Sequence, residues 1–210
     1  GTSNFLAGTK IYNKGEIDVE YFGGGVAANV VPPVCKLIVN GPLKVTPEEG
    51  ITVTEENGKT IVEATGFSAH GSTPELGVNA VVKLLNAVKE NDFGGDFQQL
   101  VNFILEEIGN ETNGKSLDIL YQDEETGETT VNLGVVKYDG EEMSFTLDIR
   151  YPKNGDAEVI DDKVINRINS YNFDVLKKTN NKLLYVPKDS ELVSKLVKVY
   201  EAQTGDKREP

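Results

Sequence analysis

Residues 51–88 of this chain read ITVTEENGKTIVEATGFSAHGSTPELGVNAVVKLLNAV. Two segments of alternating apolar and polar residues flank Asn57-Gly58, the strongest short signal for a tight hairpin, and predict two paired strands. After Pro74, apolar residues recur at helical spacing as far as Val88, which predicts a helix that ends by Asn91. A hairpin followed by such a helix is typical of a sheet covered by helices.

The rest of the chain predicts the same kinds of elements. Before and after the hairpin the pattern predicts strands at 16–22 and 34–39 and a second helix from Asp96 to Gly109. The second half predicts strands at 129–138 and 142–151, a helix at 156–171, short strands at 173–177 and 183–186, and a final helix at 190–204. We therefore predict an α+β fold made of two ferredoxin-like α/β sub-units, with antiparallel sheets and helices on one face. The sub-units cover about residues 10–110 and about residues 115–190.

The composition excludes several classes of function. The chain has 210 residues, with 21 Lys and Arg against 34 Asp and Glu and a formal net charge of −13. We expect no nucleic-acid partner, because phosphate binding requires a cationic surface. We expect no membrane association, because the chain has neither such a surface nor an apolar segment long enough to span a bilayer. Without a signal-peptide pattern, the cytoplasm is the simplest compartment. The single cysteine, Cys35, and the single histidine, His70, exclude an internal disulfide and a cluster of thiolate or imidazole ligands, so we predict no metal site in this chain.

Three motifs resemble ligand-binding loops only in part. Residues 109–116, GNETNGKS, match the phosphate-loop pattern, but the segment before them predicts a helix where that loop requires a strand. Residues 23–28, GGGVAA, fit a loose dinucleotide fingerprint, but Pro32-Pro33 follows too soon for the helix that the fingerprint must open. The acidic run at 123–125 has too little pattern for a calcium loop. We interpret residues 109–116 as a polar loop between a helix and a strand and residues 123–125 as a solvated turn, and we do not expect residues 23–28 to bind a dinucleotide.

His70 lies in GFSAHGSTPELGVNA, residues 66–80, between the predicted hairpin and the predicted helix. Its small neighbours leave the imidazole accessible and allow another group to approach closely. Taken alone, a histidine in a loop is most often an exposed residue without a specific role, and nothing nearby in the sequence completes a catalytic triad.

Four segments resemble the zinc metallopeptidase family that includes carnosinase, PepV-type dipeptidases, carboxypeptidase G and acetylornithine deacetylase. Residues 66–80 match the family's Gly-x-x-Ala-His-(Gly/Ala)-Ser-x-Pro-x-x-Gly-x-Asn-Ala segment at nearly every fixed position. The other matches are Asn29-Val30-Val31-Pro32 (with Pro33 where Asp is common), Asn132-Leu133-Gly134 and Asp148-Ile149-Arg150-Tyr151-Pro152. Their order and spacing fit the family, and the resemblance covers about residues 10–205.

In that family an inserted lid (or dimerisation) domain interrupts a catalytic domain that binds two zinc ions. The resemblance implies that residues 1–210 are such a lid, that residues 190–210 return to a catalytic domain outside this chain, and that the chain alone is inactive. It implies a cytoplasmic zinc dipeptidase whose lid has a dipeptide and the catalytic domain as partners. His70 would stabilise the oxyanion, Arg150 would bind the terminal carboxylate of the dipeptide, and further substrate contacts would come from Asn29, Asn132 and Gly134. A lid of this length with two sub-units is closest to the PepV type, which implies a monomer.

Two alternatives stay open at this point. The chain could be a binding or structural module that has the lid fold without catalysis, which the flanking coding sequence would decide. It could also be a nucleotide-dependent protein that uses residues 109–116, which a titration with ATP would decide.

Overall fold

The computed structural model describes residues 1–9 and 11–205. Its strands are β1 (Thr2–Thr9), β2 (Asp18–Gly24), β3 (Val34–Asn40), β4 (Ile51–Glu56), β5 (Lys59–Thr65), β6 (Gln122–Asp123), β7 (Gly127–Glu128), β8 (Thr130–Tyr138), β9 (Met143–Arg150) and β10 (Asp174–Asn181). Its α-helices are α1 (Ala80–Val88), α2 (Gly95–Phe103), α3 (Ala157–Ser170) and α4 (Glu191–Thr204). Lys10, at the start of the predicted first sub-unit, and residues 206–210, at the end of the predicted returning segment, lie outside the described residues.

Eight of the strands form one antiparallel sheet in the order β10-β1-β9-β8-β2-β3-β5-β4. The first half, β2-β3-β5-β4, packs against α1, and the second half, β10-β1-β9-β8, packs against α3. The two halves pair through β2 and β8 only from Phe22–Tyr138 to Gly24–Val136. The predicted α+β class, with antiparallel strands and helices packed on the sheet, is confirmed, and both halves lie in a single sheet.

The hairpin at Asn57-Gly58 forms as predicted. Asn57 has φ 53° and Gly58 has φ 76°, and both values are positive, as a two-residue type I′ turn requires. β5 then leads directly into the segment that carries His70, so the hairpin fixes where that segment leaves the sheet.

The helix predicted after Pro74 begins later than the spacing of apolar residues indicates. Pro74–Leu76 form one 3-10 turn, and the backbone of Gly77 and Asn79 is extended before α1 begins. Asn79 caps α1, because its side-chain oxygen accepts a hydrogen bond from the Val81 N–H at 3.0 Å. The prediction of an uninterrupted helix was therefore wrong at its start, where a capping asparagine outweighs the apolar pattern.

Three further elements differ from the predictions. The second helix changes to a π-helical turn at Ile104–Ile108 instead of continuing as an α-helix. Residues 183–186 form no strand, and the Tyr185 hydroxyl donates a hydrogen bond to Glu125 instead. Strand β1 was not predicted, and it pairs with β9 and β10, which lie more than a hundred residues further along the chain.

One hydrophobic core lies between the sheet and helices α1, α2 and α3. Aromatic rings join its two halves: the ring of Phe103 on α2 lies 5.0 Å from that of Phe145 on β9, which lies 5.4 Å from that of Phe173. Cys35 on β3 is buried in the same core, and this burial raises the pKa of its thiol.

Helix α4 forms where the sequence predicts it. The Ser190 hydroxyl oxygen caps it by accepting a hydrogen bond from the Val193 N–H at 3.3 Å. None of the α4 residues is buried, and the apolar side chains of Leu196 and Val199 are more than half exposed. Among residues 1–9 and 11–205, no helix combines the length and the apolar character needed to cross a bilayer.

Candidate functional site

The His70 turn, residues 69–73, lies against the Asn29 loop, residues 25–31. The Gly71 N–H donates a hydrogen bond to the Asn29 carbonyl oxygen at 2.7 Å, and His70 pairs with the Asn29 loop in an isolated antiparallel bridge. These contacts hold Asn29 and His70 close together, and both residues are exposed.

Ser72 fixes the imidazole of His70. The backbone N–H of Ser72 donates to Nδ1 of His70 at 3.0 Å, and the Ser72 hydroxyl lies 2.8 Å from the same nitrogen. A backbone N–H can only donate, so Nδ1 is an acceptor and the proton of the neutral ring is on Nε2. His70 therefore presents an N–H donor on the exposed side of its turn.

Asp148 and Arg150 lie on the face of the sheet that points away from the helices. Ile149 between them is buried in the core, so its two neighbours on β9 point to the opposite face. In the pairing with β8, Asp148 lies opposite Asn132 and Arg150 lies opposite Thr130.

Asp148 is fully buried although it lies on this outer face. Oδ2 accepts hydrogen bonds from Nε and Nη2 of Arg150, at 3.3 and 3.2 Å, whereas Oδ1 has no partner among the described residues. Burial raises the pKa of Asp148, and the neighbouring Arg150 charge offsets part of that effect. The Arg150 side chain keeps 32% of its surface exposed, so part of its guanidinium can bind another carboxylate.

Gly71 brings the His70 turn onto this ion pair. A Cβ atom at position 71 would lie 2.6 Å from Oδ2 of Asp148 and 3.0 Å from the Asn29 carbonyl oxygen, so the turn lies close against both groups. The Thr130 hydroxyl also donates a hydrogen bond to the Gly71 carbonyl oxygen at 3.4 Å. The structure thus brings His70, and with it Asn29, next to the Asp148–Arg150 pair.

Asn132 and Gly134 contact the Asn29 loop. The side-chain amide of Asn132 donates to the Ala28 carbonyl oxygen at 2.8 Å, and the residue is only 2% exposed. A Cβ atom at position 134 would lie 2.5 Å from the Ala28 Cα, so glycine is required there. Both residues set the position of the loop, and a direct contact of either one with a substrate stays a prediction.

A cavity of about 310 Å³ lies beside the site. Its walls come from Val31 and from residues 74–75, 77–79, 108–112 and 131–133, and they include Asn79 and Asn132. Neither His70 nor Arg150 lines it, so this cavity adjoins the donor groups but does not contain them.

The segment 109–116 has the polar loop conformation that we predicted. It follows the π-helical turn and leads into turns, without the strand and helix that a phosphate loop needs. The Glu111 carboxylate accepts hydrogen bonds from the Ser116 N–H at 2.7 Å and from its hydroxyl at 2.9 Å, so an acidic group already occupies donors that would face a phosphate.

The other two weak motifs also form loops and turns. Residues 23–28 leave the end of β2 and open no helix. Residues 123–125 belong to the β6–β7 hairpin, where Asp123 accepts hydrogen bonds from the Thr126 N–H and hydroxyl. Within the described residues, no group of three or more His, Cys, Asp or Glu side chains is arranged to hold a metal ion.

Sequence reasoning did not assign a role to Asp148 or to Gly71. The spacing of Asp148 and Arg150, two apart in a strand, could have indicated that they share a face. The burial of Asp148 could not have been inferred, because it depends on a turn some 80 residues earlier in the chain folding over β9.

Two sequence relatives carry names that indicate an activity. The protein named "Putative dipeptidase YtjP" of Bacillus subtilis (strain 168) is 29% identical over 199 residues, which cover 89% of this chain and 42% of the relative. A Staphylococcus aureus (strain USA300) protein, also named as a putative dipeptidase, is 32% identical over 146 residues, which cover 69% of this chain and 31% of the relative. The chain thus spans less than half the length of these two relatives.

The other comparisons add less. No family model matches the chain. A solved structure titled "Crystal Structure of Aminoacylhistidine Dipeptidase from Vibrio alginolyticus" aligns with a TM-score of 0.47 and 11% sequence identity, over 98% of this chain and 45% of that chain. The sequence similarity is therefore to proteins named as putative dipeptidases.

Proposed function

We propose that this chain is the lid domain of a zinc-dependent dipeptidase and closes over a catalytic domain outside residues 1–210. The observation that carries the proposal is the convergence of His70, Asn29 and Arg150 on the outer face of the sheet, around Asp148. An imidazole N–H, an amide and a guanidinium are all hydrogen-bond donors, as a negatively charged reaction centre and a carboxylate require. The names of the sequence relatives support a dipeptide as the substrate class.

In peptide hydrolysis, negative charge develops on the carbonyl oxygen of the bond that is cleaved. His70 donates its Nε2–H to that oxygen, and such a donor contributes about 2.7–4 kcal/mol to transition-state stabilisation in other oxyanion holes. Arg150 binds the terminal carboxylate of the dipeptide through the part of its guanidinium that Asp148 leaves free. Asn29 adds a neutral donor beside His70.

The part of the chain that the structure describes contains no group of three or more side chains suited to hold a zinc ion. In the proposed enzyme the ligands of the two zinc ions belong to the catalytic domain. This chain would then bind and orient the substrate and stabilise charge.

The proposal extends to the assembly and the compartment. The two halves already share one sheet within a single chain, so we propose that the protein is a monomer. We also propose that it is cytoplasmic. Sedimentation equilibrium tests the first point, and a dimer that persists at all concentrations would contradict it.

The decisive experiment compares the full-length protein with the 210-residue chain in one assay of dipeptide hydrolysis with added zinc. We expect turnover from the full-length protein only. Turnover by the 210-residue chain, or its binding of two zinc ions in a calorimetric titration, would contradict the lid assignment. A folded full-length protein that hydrolyses no dipeptide would instead favour a binding or structural module.

A further inference from the structure

The Asp148 carboxylate is in an unusual position for a residue on the outer face of a sheet. It is 0% exposed, and only one of its two oxygens has a hydrogen-bond partner among the described residues. A buried carboxylate that lacks part of its hydrogen bonding opposes folding. Folding stability alone therefore gives no reason for a carboxylate at this position.

The contacts of Asp148 point to a different role. On one side a single oxygen, Oδ2, accepts hydrogen bonds from Nε and Nη2 of Arg150, at 3.3 and 3.2 Å. On the other side the backbone of Gly71, the residue next to His70, lies against that same oxygen. The carboxylate is thus hydrogen-bonded to Arg150 and lies against the His70 turn.

We propose that Asp148 is a positioning residue that sets both the orientation of the Arg150 guanidinium and the position of the His70 turn. This inference rests on the proposed function for its effect on catalysis. Through Arg150, Asp148 affects how the substrate carboxylate is bound. Through Gly71, it affects where the Nε2–H of His70 points, and a misplacement of about 1 Å at a reacting group can lower a rate about 10²-fold.

The melting temperature of an Asp148 variant distinguishes a positioning role from a purely structural one. The raised pKa of Asp148 means that the folded state favours the neutral carboxyl, so its ionised form destabilises the fold at neutral pH. The charge left behind in Asp148→Asn is that of Arg150, which is one-third exposed and therefore solvated. Asp148→Asn should therefore keep or raise the melting temperature at pH 7 while it lowers activity.

Asp161 on α3 provides a matched control. It is also a buried carboxylate, 4% exposed, but both of its oxygens have partners: the Ser3 hydroxyl donates to Oδ1 at 2.7 Å, and Lys178 lies 3.1 Å from Oδ2. Asp161→Asn should lower the melting temperature by about 2–4 °C for each kcal/mol lost and leave kcat/KM unchanged.

The experiment compares the two Asn variants in the full-length protein and in the 210-residue chain. In the full-length protein, Asp148→Asn should lower kcat/KM about 10²-fold, with both a higher KM and a lower kcat. In an Arg150→Ala background it should lower kcat but raise KM no further, because the KM effect passes through Arg150. An unchanged kcat/KM, or a loss of melting temperature as large as that of Asp161→Asn, would overturn the proposal.

A spectroscopic arm decides the geometric claim without any assay of activity. His70 is the single histidine of the chain, so the imidazole nitrogen signals in an NMR spectrum belong to it alone. In the 210-residue chain, Asp148→Asn should shift these signals and the Arg150 Nε–H signal, and Asp161→Asn should leave both in place. Unmoved signals in Asp148→Asn would overturn the inference. Inactive wild-type protein on dipeptides would refute the proposed function, and the NMR result would still decide the role of Asp148.

Discussion

The two halves of the sheet differ on their outer faces. In the first half, every residue of the edge strand β4 is exposed or partly exposed. In the second half, the outward-pointing Asn132 and Asp148 are almost completely buried, because the Asn29 loop and the His70 turn cover them. Both covering segments follow strands of the first half. The candidate site is therefore shared: one half provides the histidine, and the other provides the arginine and its carboxylate.

The short pairing between β2 and β8 explains how the site forms. These strands pair only over three residues, which end at Gly24 and Val136. Beyond that point the chain leaves β2 as the Asn29 loop and lies across β8. A full-length pairing of β2 with β8 would leave no place for the loop. The boundary between the two halves, which we call the seam, therefore contains only the three residue pairs from Phe22–Tyr138 to Gly24–Val136. Side chains of the core also join the two halves there.

The largest expected effect tests the contribution of the first half. In the full-length protein, His70→Ala should lower kcat by about 10²–10³ with little change in KM, because the donor acts on charge that exists only in the transition state. Steady-state kinetics on a dipeptide measure this. A change confined to KM would mean that His70 contacts the bound substrate in its ground state only.

The next effect tests the contribution of the second half. Arg150→Ala should raise KM about 10- to 100-fold, because a charge-assisted contact with the terminal carboxylate is lost. Arg150→Lys should recover only part of this loss, since an ammonium keeps the charge but not the two-pronged geometry.

A dipeptide with an amidated C-terminus serves as the control for Arg150. Wild-type protein should use it poorly, and Arg150→Ala should lose little further activity on it. Equal losses on the amide and on the free acid would show that Arg150 does not bind the carboxylate.

The smallest effect concerns the seam between the halves. Asn79 caps α1 in the first half, and its side-chain amide donates to the Leu133 carbonyl oxygen on β8 at 3.0 Å. Asn79→Ala should lower the free energy of unfolding by about 2 kcal/mol, roughly half from the cap and half from the bond to β8. Asn79→Ser keeps a capping oxygen but is too short to reach Leu133, so it should lose about 1 kcal/mol. Urea denaturation of both variants measures this, and full stability in Asn79→Ser would mean that the bond across the seam contributes nothing.

Elements with local signals were predictable from the sequence. The β4–β5 hairpin follows from Asn57-Gly58, and α3 follows from its apolar spacing and from Asp156, whose carboxylate caps it. Strand β1 was missed because its pairing depends on β9 and β10, and nothing near it in the sequence indicates that partner. For the site, motif resemblance selected His70 and Arg150, but the role of Asp148 depends on a tertiary contact with Gly71 that no local pattern contains.

The reaction of the single thiol, Cys35, with an alkylating reagent can measure how often the fold opens around β3. Burial raises the thiol pKa, so the folded chain contains almost no thiolate to react with an alkylating reagent. Cys35 lies on β3 in the first half, and the second half contains no cysteine. The rate of alkylation, followed by mass spectrometry, therefore measures openings that expose β3 in the first half. Compared with the rate of amide exchange in β9, it would reveal whether the two halves open as one cooperative unit.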